Sequence, residues 1–133
     1  MLKKKSVLKM IPVLAFMLCS VGSACSAAAH WEYVGQDAVT DEKYFIDTES
    51  AWHDEFGGGS FTKCENPKRE YVMVNTLNFT NRSDGDYDAS ITKIKVYDTK
   101  GNLIDTISDG AAGVAKADSI LGKLCLAIIN LGK

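Results

Sequence analysis

The 133-residue sequence lacks the positive charge expected of a nucleic-acid-binding protein. Its 15 Lys and Arg residues are outnumbered by 17 Asp and Glu residues, so the formal net charge is −2. Nucleic-acid-binding domains carry a basic face that this balance does not provide. The length allows one domain. A hydrophobic content of 46% with 24% charged residues is typical of a globular chain rather than a disordered one.

Motifs for catalysis and cofactor binding are missing as well. The sequence contains no GxSxG, P-loop, GxGxxG, HExxH or CxxC pattern. Its two histidines are His30 and His53. We interpret both as isolated residues, because a metal site needs several ligands at set spacing. The sequence therefore predicts a protein that is not an enzyme and that has no metal and no cofactor.

The apolar run near the amino end, Met10 to Leu18, is too short to cross a bilayer of ~30 Å as a helix. It follows a lysine-rich start and leads into the small residues Ala27, Ala28 and Ala29. This order of features is typical of a secretory signal peptide. We predict a signal peptide over residues 1–29 and a single domain over residues 30–133.

Cleavage after Ala29 has one competing interpretation. Gly22, Ser23 and Ala24 precede Cys25, and this context resembles the lipobox of bacterial lipoproteins, whose cysteine becomes the lipid-bearing first residue. Gly22 stands where a large aliphatic side chain is usual. We favour cleavage after Ala29. A chain that is lipidated at Cys25 and held at a membrane by acyl chains is the alternative.

The predicted cleavage changes the charge of the chain. Residues 1–29 hold four of the 15 basic residues and none of the 17 acidic ones, so the remaining 104 residues carry a formal charge of −6. Docking on anionic lipid or DNA is then disfavoured. We expect an exported domain in the periplasm, at the cell surface or outside the cell, with no nucleic-acid partner. A membrane contact is expected only if Cys25 carries lipid.

Cys64 and Cys125 are the two cysteines outside the predicted leader. In an oxidising compartment such a pair usually forms a disulfide. The loop that it closes, about 60 residues long, corresponds to a stabilisation of about 4 kcal/mol. We predict this disulfide, and two free thiols, one of them buried in a helix, are the alternative.

Alternating apolar and polar residues predict a meander of antiparallel strands. Short turns separate the strands, and we expect Gly57 to Gly59 to form a flexible turn because glycine accepts positive φ freely. The predicted strands cover residues 31–34, 44–46, 60–64, 71–79, 91–97 and 103–107.

The last part of the sequence differs, because its apolar residues recur at helical spacing. Asp118 or Ser119 is suited to cap this helix. We expect the apolar stripe to pack on one face of the sheet rather than to contact a partner or a membrane. The stripe consists of Ile120, Leu121, Leu124, Cys125, Ile128 and Leu131. The predicted fold class is therefore α+β, a small antiparallel β-sheet with a C-terminal helix packed on one face.

Two further groups of residues are candidates for ligand binding. Asp84, Asp86 and Asp88 alternate and could hold a hard cation such as calcium, but the EF-hand pattern fails at Ala89, and we expect a solvated loop. Aromatic residues are favoured at interfaces, although we expect most of them in the sheet core. The aromatic candidates are Trp31, Tyr33, Tyr44, Phe45, Tyr71 and Tyr97.

Three stretches of the sequence, taken in order, carry a family resemblance. They are Trp31 to Gly35 with Tyr44 to Asp47 and Ser50, the hairpin Lys95 to Ile104, and the helix start from Ala117 to Leu126. In this order they resemble the surface-adhesin protein E family of exported bacterial domains. The sequence departs from the family pattern at Asp118, where a helix-start glycine is usual, and in Ser60 to Glu65.

The resemblance implies an antiparallel sheet with a flanking helix and no catalytic site. The named member of the family binds host matrix proteins, so the expected function is adhesion, with a host extracellular matrix protein as partner. The resemblance assigns no binding residue. A small periplasmic or outer-membrane lipoprotein with a structural role in the envelope, lipidated at Cys25, is the alternative function.

Overall fold

The computed structural model describes residues 29–131. The predicted signal peptide, except for its last residue, and the lipidation alternative at Cys25 lie outside these residues. The described chain forms strands β1 Trp31–Gln36, β2 Lys43–Asp47, β3 Trp52–His53, β4 Gly57–Asn66, β5 Tyr71–Asn81, β6 Tyr87–Asp98, β7 Leu103–Ile107 and β8 Ala111–Ala115, followed by helix α1 Ile120–Asn130.

All eight strands belong to one antiparallel sheet with the order β1-β2-β4-β5-β6-β7. Strand β3 pairs with the first part of β4, and β8 pairs with the first part of β6. The predicted antiparallel sheet with a C-terminal helix is confirmed. The sheet is larger than expected, and the chain is mostly β-structure.

The expectation of a flexible turn at Gly57 to Gly59 is wrong, because these glycines begin the long central strand β4. Their small size lets the neighbouring strands approach closely. A Cβ atom on Gly58 would lie 2.6 Å from the carbonyl oxygen of Trp52, and one on Gly59 would lie 2.6 Å from Oδ1 of Asn78. Glycine occurs here because of packing between strands and not because of a turn.

Helix α1 provides part of the hydrophobic core. The side chains of Ile46, Leu77, Cys125 and Ile128 are fully buried, and the last two lie on the helix. The helix contacts β1, β2, β3 and β4. Ser119, one of the two predicted candidates, caps it, since its Oγ accepts a hydrogen bond of 3.1 Å from the backbone N–H of Gly122. No helix of residues 29–131 is long and apolar enough to cross a membrane.

The segment before the helix is attached to the hairpin between β5 and β6. The backbone N–H of Ala117 donates a hydrogen bond of 2.9 Å to Oδ1 of Asp86, and Nζ of Lys116 lies 3.6 Å from Oδ2 of the same carboxylate. Asp86 thereby links the end of β8 to a hairpin about thirty residues earlier in the chain. The helix begins from a fixed point on the sheet.

Candidate binding surface

Helix α1 packs on one side of the sheet. We call the other side, which does not contact the helix, the open face. A row of directly opposed residues crosses five strands: Tyr33 faces Phe45, Phe45 faces Lys63, Lys63 faces Val74, and Val74 faces Lys95. Opposed residues of antiparallel strands project to the same side, and residues alternate in side along each strand. These five side chains therefore share the open face.

An aromatic cluster surrounds the ammonium group of Lys63 on this face. The rings of Tyr33 and Phe45 meet edge to face, with centroids 5.6 Å apart and an interplanar angle of 66°. Nζ of Lys63 lies 4.4 Å from the centroid of Phe45 and 5.1 Å from that of Trp31. The same Nζ is 3.0 Å from Oε2 of Glu65. A partly buried cation thus joins side chains from β1, β2 and β4 by cation–π contacts and an ion pair.

Several large side chains on the open face are half exposed. The exposed fractions are 53% for Tyr33, 47% for Phe61 and 47% for Trp52. Helix α1 is the one element of residues 29–131 outside the sheet, and it packs on the side of Ile46. The aromatic rings of the open face therefore have no layer above them in the part of the chain that the structure describes. Such apolar surface is typical of interaction sites.

A groove of about 480 Å³ lies at one end of the open face. It is lined by Trp52, Gly58, Asn78, Phe79, Thr80, Asp88, Ala89, Ser90, Ala112, Gly113 and Val114. A second cavity, of about 340 Å³, lies between the loops at 37–42 and 66–71.

The carboxylate of Glu42, beside the second cavity, accepts four side-chain hydrogen bonds. The donors are Thr40 Oγ1 at 3.2 Å, Tyr44 OH at 3.0 Å, Asn66 Nδ2 at 3.1 Å and Tyr71 OH at 3.3 Å. Burial alone would raise the pKa of this carboxyl, but the hydrogen bonds from its neighbours outweigh burial and lower the pKa below its ordinary value. The charged carboxylate of Glu42 thus links the loop at 37–42 to the loop at 66–71.

The predicted disulfide between Cys64 and Cys125 is wrong, because both cysteines are free and buried and their sulfur atoms are beyond disulfide distance. Cys64 faces Tyr44 across the sheet, whereas Cys125 lies in the helix next to Leu124 in the core. Burial raises the pKa of each thiol to about 12. Both thiols are protonated at neutral pH and are poor nucleophiles.

The three aspartates of the predicted solvated loop face cations and backbone groups. The guanidinium of Arg82 contacts Asp84 Oδ2 and Asp88 Oδ1, each at 3.0 Å. Its hydrogen bonds hold the pKa of Asp84 below the usual value. Within residues 29–131, no group of three or more His, Cys, Asp or Glu residues is arranged to hold a metal ion.

The two histidines lie on different parts of the sheet. His30 precedes β1, and its backbone N–H donates a hydrogen bond of 3.0 Å to Oδ1 of Asp47. His53 lies in β3 opposite Gly58, and its buried Nδ1 has no hydrogen-bond partner within the described chain.

The structure divides the aromatic candidates among three places. Trp31, Tyr33 and Phe45 lie on the open face, whereas Tyr44 and Tyr71 bind Glu42. Tyr97 is half buried opposite Val72 and Leu103. Trp52, Phe61 and Lys63 are not among the residues that the sequence indicates for binding. The alternation of Phe61, Lys63 and Glu65 with smaller residues is the available signal, but it predicts only a strand over residues 60–64.

No family model, curated protein or solved structure matches this chain. The resemblance to the surface-adhesin protein E family therefore stays a prediction.

Proposed function

We propose that this protein is an exported, non-enzymatic binding module that holds a protein partner on its open face. In this proposal the fold is α+β, with the C-terminal helix as the layer on one face of the sheet and the other face left for the partner. The observation that carries the proposal is the half-exposed set of rings on that face, with Tyr33 at 53% and Phe61 at 47% exposure.

Aromatic residues suit this role because they bury a large area at a low cost in conformational entropy. The cation–π contacts of Lys63 fix the position of two of the rings before a partner arrives, which lowers the entropy that binding must overcome. Lys95, exposed in the same row, makes no ion pair with the described chain. We propose a partner surface that offers apolar side chains and a carboxylate, and the family resemblance directs the search to host extracellular matrix proteins.

The absence of enzymatic activity is part of the proposal. Burial raises the pKa of the thiols of Cys64 and Cys125 to about 12, which leaves them protonated and unreactive at neutral pH. The carboxylate of Glu42 already accepts hydrogen bonds from neighbouring side chains. A nucleophilic cysteine needs a lowered pKa and a base within reach.

Export rests on the sequence of the first 29 residues. Its two forms differ in the first residue of the mature chain, which is His30 after cleavage behind Ala29 and a lipid-bearing Cys25 in the envelope lipoprotein. The intact mass of the protein recovered from the producing cell distinguishes them. A chain that keeps residues 1–24 would contradict both forms of export.

The binding proposal is tested by surface plasmon resonance on immobilised extracellular matrix proteins. We expect saturable binding of the wild-type chain to at least one of them, and about tenfold or greater weakening in Phe61→Ser and Tyr33→Ser, as for central interface residues. Val39→Ser is the matched control, because Val39 is 86% exposed and lies in a loop away from the open face. Equal binding of all variants would place the site elsewhere, and no saturable binding to any matrix protein would contradict adhesion.

A further inference from the structure

The groove at the end of the open face is built from a second cross-strand row. Trp52 faces Gly59, Gly59 faces Asn78, Asn78 faces Ser90, and Ser90 faces Ala112. These five residues come from β3, β4, β5, β6 and β8 and share one side of the sheet. The small residues Ser90, Ala112 and Gly113 line the groove, whereas the space above Gly59 is filled by the side chains of Trp52 and Asn78.

Trp52 and Asn78 lie on either side of Gly59, and together they form one wall of the groove. A Cβ atom on Gly59 would lie 2.8 Å from Nε1 of Trp52 and 2.6 Å from Oδ1 of Asn78. Both side chains therefore lean over the glycine from opposite strands, and the indole is brought beside the amide. Gly59 thus allows the Trp52 indole and the Asn78 amide to meet above β4.

The polar side chains of the groove are free to bind a ligand. Asn78, Thr80 and Ser90 make no side-chain hydrogen bond with residues 29–131. Asp88 is the one charged residue of the lining, and its Oδ1 is paired with Arg82 at 3.0 Å. The groove thus offers hydroxyl and amide groups that both donate and accept hydrogen bonds, and it offers no unpaired cation to an anionic ligand.

This combination fits a sugar ring. A pyranose has one face of C–H groups, which stacks on an aromatic ring, and an edge of hydroxyl groups, which need donors and acceptors. The indole of Trp52 is 47% exposed and supplies the apolar surface. A purely apolar ligand would strip water from Asn78, Thr80 and Ser90 without replacing its hydrogen bonds, which is unfavourable.

We infer that this groove binds a neutral pyranose unit of a glycan, stacked on Trp52 and hydrogen-bonded by Asn78, Thr80 and Ser90. The volume of about 480 Å³ is within the range of small-ligand sites and accommodates one or two sugar rings. The site lies beside the Lys63 cluster on the same face but uses none of its residues, so it does not depend on the proposed protein partner.

The test is a titration of the isotopically labelled full chain with neutral sugars, followed by amide chemical shifts in NMR. The probes are glucose, galactose, mannose, N-acetylglucosamine and their disaccharides, with sialic acid as the charged comparison. We expect at least one neutral sugar to shift the amides around Thr80 and Ser90 in a saturable way. Sialic acid should bind at least tenfold more weakly than that neutral sugar.

Two variants assign the binding to the groove. Trp52→Ala and Asn78→Ala should each weaken it at least tenfold, whereas Phe56→Ala should leave it unchanged. Phe56 is the matched control because it is 70% exposed and lies between β3 and β4, outside the groove lining. Should Trp52→Ala disturb the fold, which the amide spectrum would show, Trp52→Phe keeps a ring and should retain most of the binding.

Three results would overturn the inference: no sugar shifts the groove amides, the shifts survive in Trp52→Ala, or sialic acid binds best. None of them touches the protein-binding proposal, since Phe61→Ser should lose the protein partner and keep the sugar. A sugar bound with unchanged affinity by Phe61→Ser would thus separate the two sites on the open face.

Discussion

The ammonium nitrogen of Lys63 lies 4.4 Å from the centre of the Phe45 ring, directly across the β2–β4 pair. The lysine side chain is only 17% exposed, so its charge is held largely out of water. Two rings and the carboxylate of Glu65 compensate for the lost hydration. This contact orders the side chains of the open face, and its contribution to stability can be measured.

Lys63→Gln should lower the free energy of unfolding by about 1 kcal/mol, because a partly desolvated cation–π contact is lost. Lys95→Gln is the matched control, since Lys95 is an exposed lysine of the same cross-strand row. Its substitution should change stability by less than about 0.5 kcal/mol. The free energy of unfolding of each variant is measured by urea denaturation. Equal losses in the two variants would show that the contacts of Lys63 with the rings do not stabilise the protein.

Gly58→Ala should destabilise the protein by about 1–3 kcal/mol, the usual range for overpacking. Its new Cβ would lie 2.6 Å from the backbone oxygen of Trp52, an atom that cannot move alone. Gly113→Ala provides the comparison, because no atom lies within 4 Å of its Cβ position. Equal midpoints for the two alanine variants in urea denaturation would contradict the close approach of β3 to β4.

Cys64 and Cys125 should resist alkylation in the folded protein, because both are buried and burial raises the pKa of each thiol to about 12. In denaturant without reductant both should react, as peptide mass spectrometry would record. A reducing agent should leave the melting temperature unchanged. If the two cysteines stayed unreactive in denaturant until reduced, a disulfide would exist and the arrangement of the core would have to change.

Stability should fall at acidic pH partly through Glu42. The pKa of this carboxyl is lower in the folded protein than its ordinary value of 4.5, so its contribution is complete above that value and is lost as pH falls through the folded pKa. Glu42→Gln should therefore lose less stability than the wild type between pH 7 and about pH 3.

Glu32→Gln serves as the control for this pH dependence, because the exposed side chain of Glu32 makes no hydrogen bond or ion pair with the described chain. It should follow the wild-type curve. The measurement is the free energy of unfolding from urea titrations at several pH values. Parallel curves for the wild type and Glu42→Gln would mean that the hydrogen bonds to Glu42 do not lower its pKa.

The sequence predicted those elements whose pattern is local. Strand β1 carries aromatic residues in alternation and β2 carries two adjacent ones, so the sequence predicts both strands. Ser119, one of the two predicted caps, stands before an apolar stripe of helical spacing. Strand β8 was missed because its alanines and glycine carry no alternation. The glycines of β4 were misread because glycine has the same appearance in a turn and in close packing.

Long-range relations were harder to predict. Cys64 and Cys125 suggested a disulfide because of their number and the expected compartment, but the strand register places Cys64 beside Tyr44, and both cysteines are free. The groove could not be predicted from the sequence, because it too depends on the strand register. Its residues come from five strands, and the glycine that shapes it is opposite Trp52 and Asn78 only once the register is known.

The position of the helix in the chain affects how the protein is made. Ile46 and Leu77 leave the ribosome early, but Cys125 and Ile128, which share their core, arrive only with the last strand–helix segment. A nascent chain synthesised from its amino end cannot complete this core before then. Until then the apolar side chains of Ile46 and Leu77 lack the helix that covers them, and the sheet cannot reach its final packing.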